Sequence, residues 1–155
     1  MRRMLIASLL VVSCFASAAG PEDFDHLFDF SLSTARLSEL VTTGRGDWID
    51  PDRLLILSGT VASTLVFDER PDTYLGLVEL VDARWNETTS ISVYRVYVLL
   101  EGPLHAHRLS PAEPGPDLIT ANQQLLVVAR FEGVADDLRD PDLPPVPVVV
   151  AIAVR

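Results

Sequence analysis

The sequence contains no lysine; its twelve basic side chains are all arginine, set against 22 aspartates and glutamates. That uniform choice points to genomic base composition rather than to a task. The net charge is −10, and −12 if residues 1–18, which hold Arg2 and Arg3, are removed. A field of that sign repels phosphate backbones and anionic lipid heads. The charge therefore predicts no nucleic-acid partner, and no membrane contact beyond a lipid anchor. Cys14 is the only cysteine, which excludes an intramolecular disulfide. There is no G-x-S-x-G, C-x-x-C or H-E-x-x-H pattern and no phosphate-cradling glycine loop, so no catalytic residue and no cofactor is nominated.

What is present begins with an export pattern. Met1-Arg2-Arg3 leads into the apolar stretch Met4–Val12 and then the small-residue zone around Ala16-Ser17-Ala18. Positive flank, apolar core and A-x-A site read as a cleavable signal peptide over 1–18. The apolar core is shorter than the roughly 20 residues needed to span a bilayer. Leu10-Val11-Val12-Ser13-Cys14 also resembles the lipobox of bacterial lipoproteins. That resemblance implies a signal over 1–13 and a lipid on Cys14. The expected location is thus periplasmic or secreted, with lipid anchoring in the cell envelope as the alternative.

Residues 19–31 alternate acids with Phe24, Leu27, Phe28 and Phe30 and read as an acidic, aromatic arm. Residues 32–155 then form one β-rich domain with a short leading helix. Ser33 can cap that helix, Leu37, Leu40 and Val41 share one face, and Gly44 can end it. Five β-rich runs follow, over 54–67, 74–83, 91–100, 124–131 and 146–154, with Gly59 placed for a bend in the first. Eight of the eleven prolines fall between 103 and 147, which argues against a long helix there. Five strands with a bent first strand match a small five-stranded barrel of OB-like type; a small β-sandwich is the alternative. The long connection between the third and fourth strands is where an OB-type fold usually carries a helix, and here it is proline-rich. The final run is nearly all apolar and is expected to lie buried between neighbours.

Few residues suggest chemistry. His105 and His107 would project to one side of an extended segment, and Glu101 or Glu113 would complete a zinc or copper site with them. The set is incomplete, so a solvated pair is the simpler reading. Asp136, Asp137, Asp140 and Asp142 offer oxygen ligands for calcium but lack the spacing of a calcium loop, and read as a solvated acidic loop. Trp48, Trp85, Tyr74, Tyr94 and Tyr97 could line a groove, although Tyr94 and Tyr97 differ by three and face opposite sides of a strand. Arg45-Gly46-Asp47 and the sequon Asn86-Glu87-Thr88 read as turns. The sum is an exported, non-catalytic envelope protein, a binding or assembly module whose partner is another envelope protein or a small ligand. The alternatives are a small envelope hydrolase with paired carboxylates and a metal-handling protein using His105 and His107.

Overall fold

The computed structural model describes residues 25–87, 89–110 and 117–155. The signal peptide of 1–18, Cys14, the first part of the arm and Glu113 lie outside the described residues. Five strands are present: β1 (Leu54–Asp68), β2 (Leu75–Asn86), β3 (Ser90–Glu101), β4 (Gln124–Ala135) and β5 (Val146–Val154). They follow the expected runs, with β2 and β4 continuing past Ala83 and Phe131. Those extensions follow their partner strands, with Ala135 also packing against the cluster of Leu77, Tyr97 and Val146. β2 is held by pairing with β3 out to Asn86↔Ser90, and β4 by pairing with β5 through an irregularity next to Gly133.

The strands close in the order β1-β2-β3-β5-β4, and β4 returns to β1. β3 and β5 are parallel, joined through Tyr97↔Val148, Val98↔Val149 and Leu99↔Val150; the other seams are antiparallel. This is a closed five-stranded barrel of the OB type, and the sandwich alternative falls with the closure. One strand can serve two neighbours because β1 turns at its middle, where Thr60 pairs with both Val81 and Gln124. Gly59 permits the turn. A Cβ there would sit 2.6 Å from the Val81 carbonyl oxygen, a rigid backbone atom.

Alternate residues of every strand fill the interior, as the period of two requires. Leu55, Leu57 and Val61 meet Val78 and Leu80, Val96, Val98 and Leu100, Leu125 and Val127, and Val149. The helix α1 (Thr34–Thr42) supplies Leu37, Leu40 and Val41 to the same core. The Ser33 hydroxyl accepts from the Arg36 amide at its start, and Gly44 just beyond it takes the left-handed conformation at φ 70. Two polar bonds pin α1 to the barrel: the Thr34 hydroxyl donates to the Ser58 carbonyl, and the Ser38 hydroxyl accepts from the Arg95 amide. The helix that completes this core precedes β1. The connection from β3 to β4 is a chain of turns over its first described part, 103–109.

The described end of the arm is tied to the start of β1. Phe28 bridges Leu54, and the Arg53 guanidinium donates to the Asp25 and Phe28 carbonyls. Leu27 and Phe30 nonetheless stay exposed, with Phe30 stacked on Phe28. Among the described residues, Leu32 is the first apolar side chain to enter the core.

Candidate functional site

The odd-numbered residues of β2 and β3 point away from the barrel interior and form one continuous outer face. Register pairs Leu77 with Leu99, Glu79 with Tyr97, Val81 with Arg95, Ala83 with Val93, and Trp85 with Ile91. β1 extends this face through Ser63, paired with Glu79, and Leu65, paired with Leu77. The face has two halves of different character.

The half next to the barrel body is covered by the connection between β4 and β5. Asp137 is 3% exposed and pairs with Arg95. It also accepts from the Arg139 amide at 2.9 Å and the Tyr97 hydroxyl at 3.4 Å, while the Leu138 amide donates to that hydroxyl at 3.0 Å. Glu79, also buried, accepts from the Ser63 hydroxyl at 2.9 Å and lies 3.2 Å from the Arg139 guanidinium and 3.8 Å from that of Arg95. Two carboxylates and two guanidiniums thus balance one another. Burial tends to raise the Asp137 carboxyl, but the Arg139 amide and the Arg95 and Arg139 side chains outweigh it and hold it at about 2. Burial pushes the Tyr97 hydroxyl up, partly opposed by the Leu138 amide. Beside this cluster a cavity of about 460 Å³ is lined by Ser63, Leu65, Leu77, Tyr97, Leu138 and Arg139, among others.

The outer half is uncovered. Past Val81 the β2–β3 hairpin leaves the barrel body, and its odd-numbered side carries Trp85 (71% exposed), Ile91 (53%) and Val93 (58%). These three, with Ala83, make an apolar strip on paired strands. The even-numbered side is polar, with the Arg84 guanidinium 6.0 Å from the Tyr94 ring centre.

The residues singled out in the sequence distribute differently. Tyr94 and Tyr97 do lie on opposite faces. Trp48 stands apart under Arg45, 5.2 Å from its guanidinium carbon. His105 is buried and His107 exposed, because 103–109 is a succession of turns and His107 has φ 70. The extended geometry that would aim both imidazoles at one ion is absent. No group of three or more metal-ligating side chains occurs among the described residues. The acidic loop is not simply solvated, since Asp137 is buried within it. The sequence reading missed Glu79, Arg95 and Arg139. The available signal was a lone carboxylate inside the apolar run 75–81 and a lone arginine inside 91–100.

No family model matches the chain, and no curated protein matches it. Solved structures do. The small single-stranded DNA-binding protein from Streptomyces coelicolor matches 66% of this chain and 91% of its own, at 13% identity and TM-score 0.41. Asparaginyl-tRNA synthetase from Entamoeba histolytica matches at 15% identity and TM-score 0.41, over 69% of this chain and 21% of its own. A deletion mutant of the single-stranded DNA-binding protein from Thermus aquaticus matches at 18% identity and TM-score 0.37, over 66% of this chain and 48% of its own.

These findings correct three expectations. The matched structures include single-stranded DNA-binding proteins rather than envelope proteins, so the exported envelope module is withdrawn. No comparison supports the signal peptide of 1–18 or a lipid on Cys14. The exclusion of nucleic acid is withdrawn as well. Its physical flaw is that net charge averages over the whole chain, whereas Glu79 and Asp137 on this face are balanced by Arg95 and Arg139. The carboxylates of this cluster do not have the setting of the paired-carboxylate hydrolase alternative. An acid catalyst needs a carboxyl raised by its surroundings, and Asp137 is held down instead.

Proposed function

We propose that this chain is a binding domain that receives a single-stranded nucleic acid across the outer face of β1, β2 and β3, held by stacking rather than by phosphate contacts. The observation that carries the reading is the uncovered strip of Trp85, Ile91 and Val93 on paired strands of an OB-type barrel. Barrels of this type use the face of their second and third strands, and the loops beside it, for oligonucleotides and oligosaccharides. An exposed indole is a platform for bases of any sequence, worth about 1–3 kcal/mol per stacked base. The connection between β4 and β5 borders the strip, and Arg139 at its edge is half-exposed.

The net charge of −10 gives this reading its distinguishing mark. Repulsion between an acidic protein and phosphates is screened by salt, so affinity should hold or rise with added salt. Proteins that neutralise phosphates do the opposite. Tryptophan fluorescence titrated with an oligothymidylate, at low and at moderate salt, is the experiment. Quenching in the parent and none in Trp85→Ala supports the reading; a folded parent that does not respond overturns it. The same acidity favours a second reading, in which the ligand is a neutral oligosaccharide stacked on Trp85. It predicts quenching by uncharged oligosaccharides and none by the oligothymidylate.

A further inference from the structure

The edge of β3 that faces away from β2 is only partly used. β5 pairs with it from Tyr97 to Leu99, and α1 meets it at Arg95, whose amide donates to the Ser38 hydroxyl. That amide fixes the direction of its neighbours. In an antiparallel ladder alternate residues turn both backbone groups to the same side, so the amides and carbonyls of Val93 and Ile91 also point away from β2. Among the described residues, no strand pairs with β3 on that side before Tyr97. The chain leading into β5 is unsuited to the task. Continued back from Tyr97↔Val148 at the same register, it would set Pro144 beside Val93, and a proline has no amide to give a ladder.

An open strand edge is ordinarily guarded by charge, by proline or by a bulge. This one has none of the three. Ser90, Ile91, Ser92, Val93 and Tyr94 include no charged side chain and no proline, and the register of β2 with β3 runs unbroken out to Asn86↔Ser90. Apolar surface lies at the same edge, since Ile91 and Val93 belong to the uncovered strip and Trp85 sits across from Ile91. The local charge also differs from that of the whole chain. Against a net −10, the hairpin from Asp82 to Arg95 balances Asp82 and Glu87 with Arg84 and Arg95. A second copy of the same hairpin would meet no net charge there.

We propose that the β2–β3 hairpin pairs edge to edge with that of a second copy of this chain, β3 against β3 in antiparallel sense, about a two-fold axis at Ile91. Such an edge is self-complementary. The Ile91 amide of each copy donates to the Ile91 carbonyl of the other, and Val93 of each faces Thr89 of the other. An axis at Val93 would drive the second hairpin's tip towards α1 at Arg95; an axis at Ile91 keeps it clear. The pairing sets Trp85, Ile91, the second copy's Ile91 and its Trp85 in one row across four strands. The two indoles then lie on one face about 14 Å apart, three strand spacings. One chain offers a single stacking platform, and the pair offers two. That use of the pair rests on the binding reading above; the dimer itself does not.

The test is sedimentation equilibrium of the full chain without nucleic acid, from micromolar to millimolar concentration, under reducing conditions so that Cys14 cannot link copies. A reversible monomer–dimer equilibrium is expected, strengthened by added salt as the net charge is screened. Ile91→Pro removes an amide that the β2–β3 ladder does not use, so the hairpin should persist while the dimer is lost. Ile91→Glu is the second variant. It sets two carboxylates directly opposite one another in the dimer, a destabilising pair, yet only one at an exposed site in the monomer. Association should weaken at least tenfold with the thermal midpoint unchanged. A parent that stays monomeric at millimolar concentration, or association as tight as the parent's in either folded variant, overturns the proposal. Since no nucleic acid is present, a failed dimer leaves the oligothymidylate titration untouched.

Discussion

Asp137 shows how much one side chain decides. Its carboxylate holds the connection between β4 and β5 onto the outer face, through Arg95, Tyr97 and the Arg139 amide. The folded protein keeps this group at about 2, against an ordinary 3.8. The folded value is the lower one, so the stabilisation is complete above the unfolded value and is lost as pH falls from about 4 towards 2. Unfolding by denaturant, measured between pH 5 and pH 2, should show stability declining in that window. Asp137→Asn should flatten the decline. The variant should also open the connection, read as faster amide exchange at Leu138 and Arg139, because a neutral amide removes the closer of the two carboxylates that balance the buried Arg95. Gly59 is the second decisive residue. Gly59→Ala drives a methyl against the Val81 carbonyl oxygen at 2.6 Å, and overpacking of that kind costs about 1–3 kcal/mol. A lowered denaturation midpoint would confirm it; an unchanged one would show that β1 can bend elsewhere.

At the level of elements, α1 and the β2–β3 hairpin carry opposite loads. Leu37 is fully buried and anchors α1 to the core, so Leu37→Ala should cost about 2–5 kcal/mol in unfolding free energy. Trp85→Ala, on the uncovered strip, should leave thermal stability nearly unchanged, and calorimetry on the two variants separates the roles. The strands were legible in sequence because alternation and turn residues are local signals. So was α1, since its cap and its apolar face fall within a dozen residues. The lengths of β2 and β4 were not, because their ends are set by partner strands rather than by their own pattern. The outer-face cluster was hidden for a related reason. Glu79, Arg95 and Asp137 are far apart in the chain and meet only when β2 pairs with β3 and the acidic loop folds back. The metal option for His105 and His107 depended on an extended segment, and the simpler reading of a solvated pair holds for His107 but not for the buried His105. The turns of 103–109 put one imidazole inside and one outside.

The whole molecule joins two kinds of surface to one core. An acidic exterior disfavours self-association, while the strip at Trp85 is a local departure from it. Whole-chain charge therefore predicts colloidal behaviour better than it predicts partners. β5 lies between β3 and β4, as expected from its apolar run. Deleting 146–154 should leave both neighbours with unpaired edges, and the truncated chain should partition into the insoluble fraction. A soluble, folded truncation would show that β3 and β4 can pair directly.

The seam between β3 and β5 has a consequence in time. It is parallel and rests on three residue pairs, whereas β2 and β3 share twelve. β5 also follows the other four strands in chain order. Made after the other four, it completes the circuit only when it slots in beside β3. Contacts so distant along the chain form slowly. Until β5 joins, β3 and β4 each present an unpaired border, and a strand edge left open is a template for pairing with other chains.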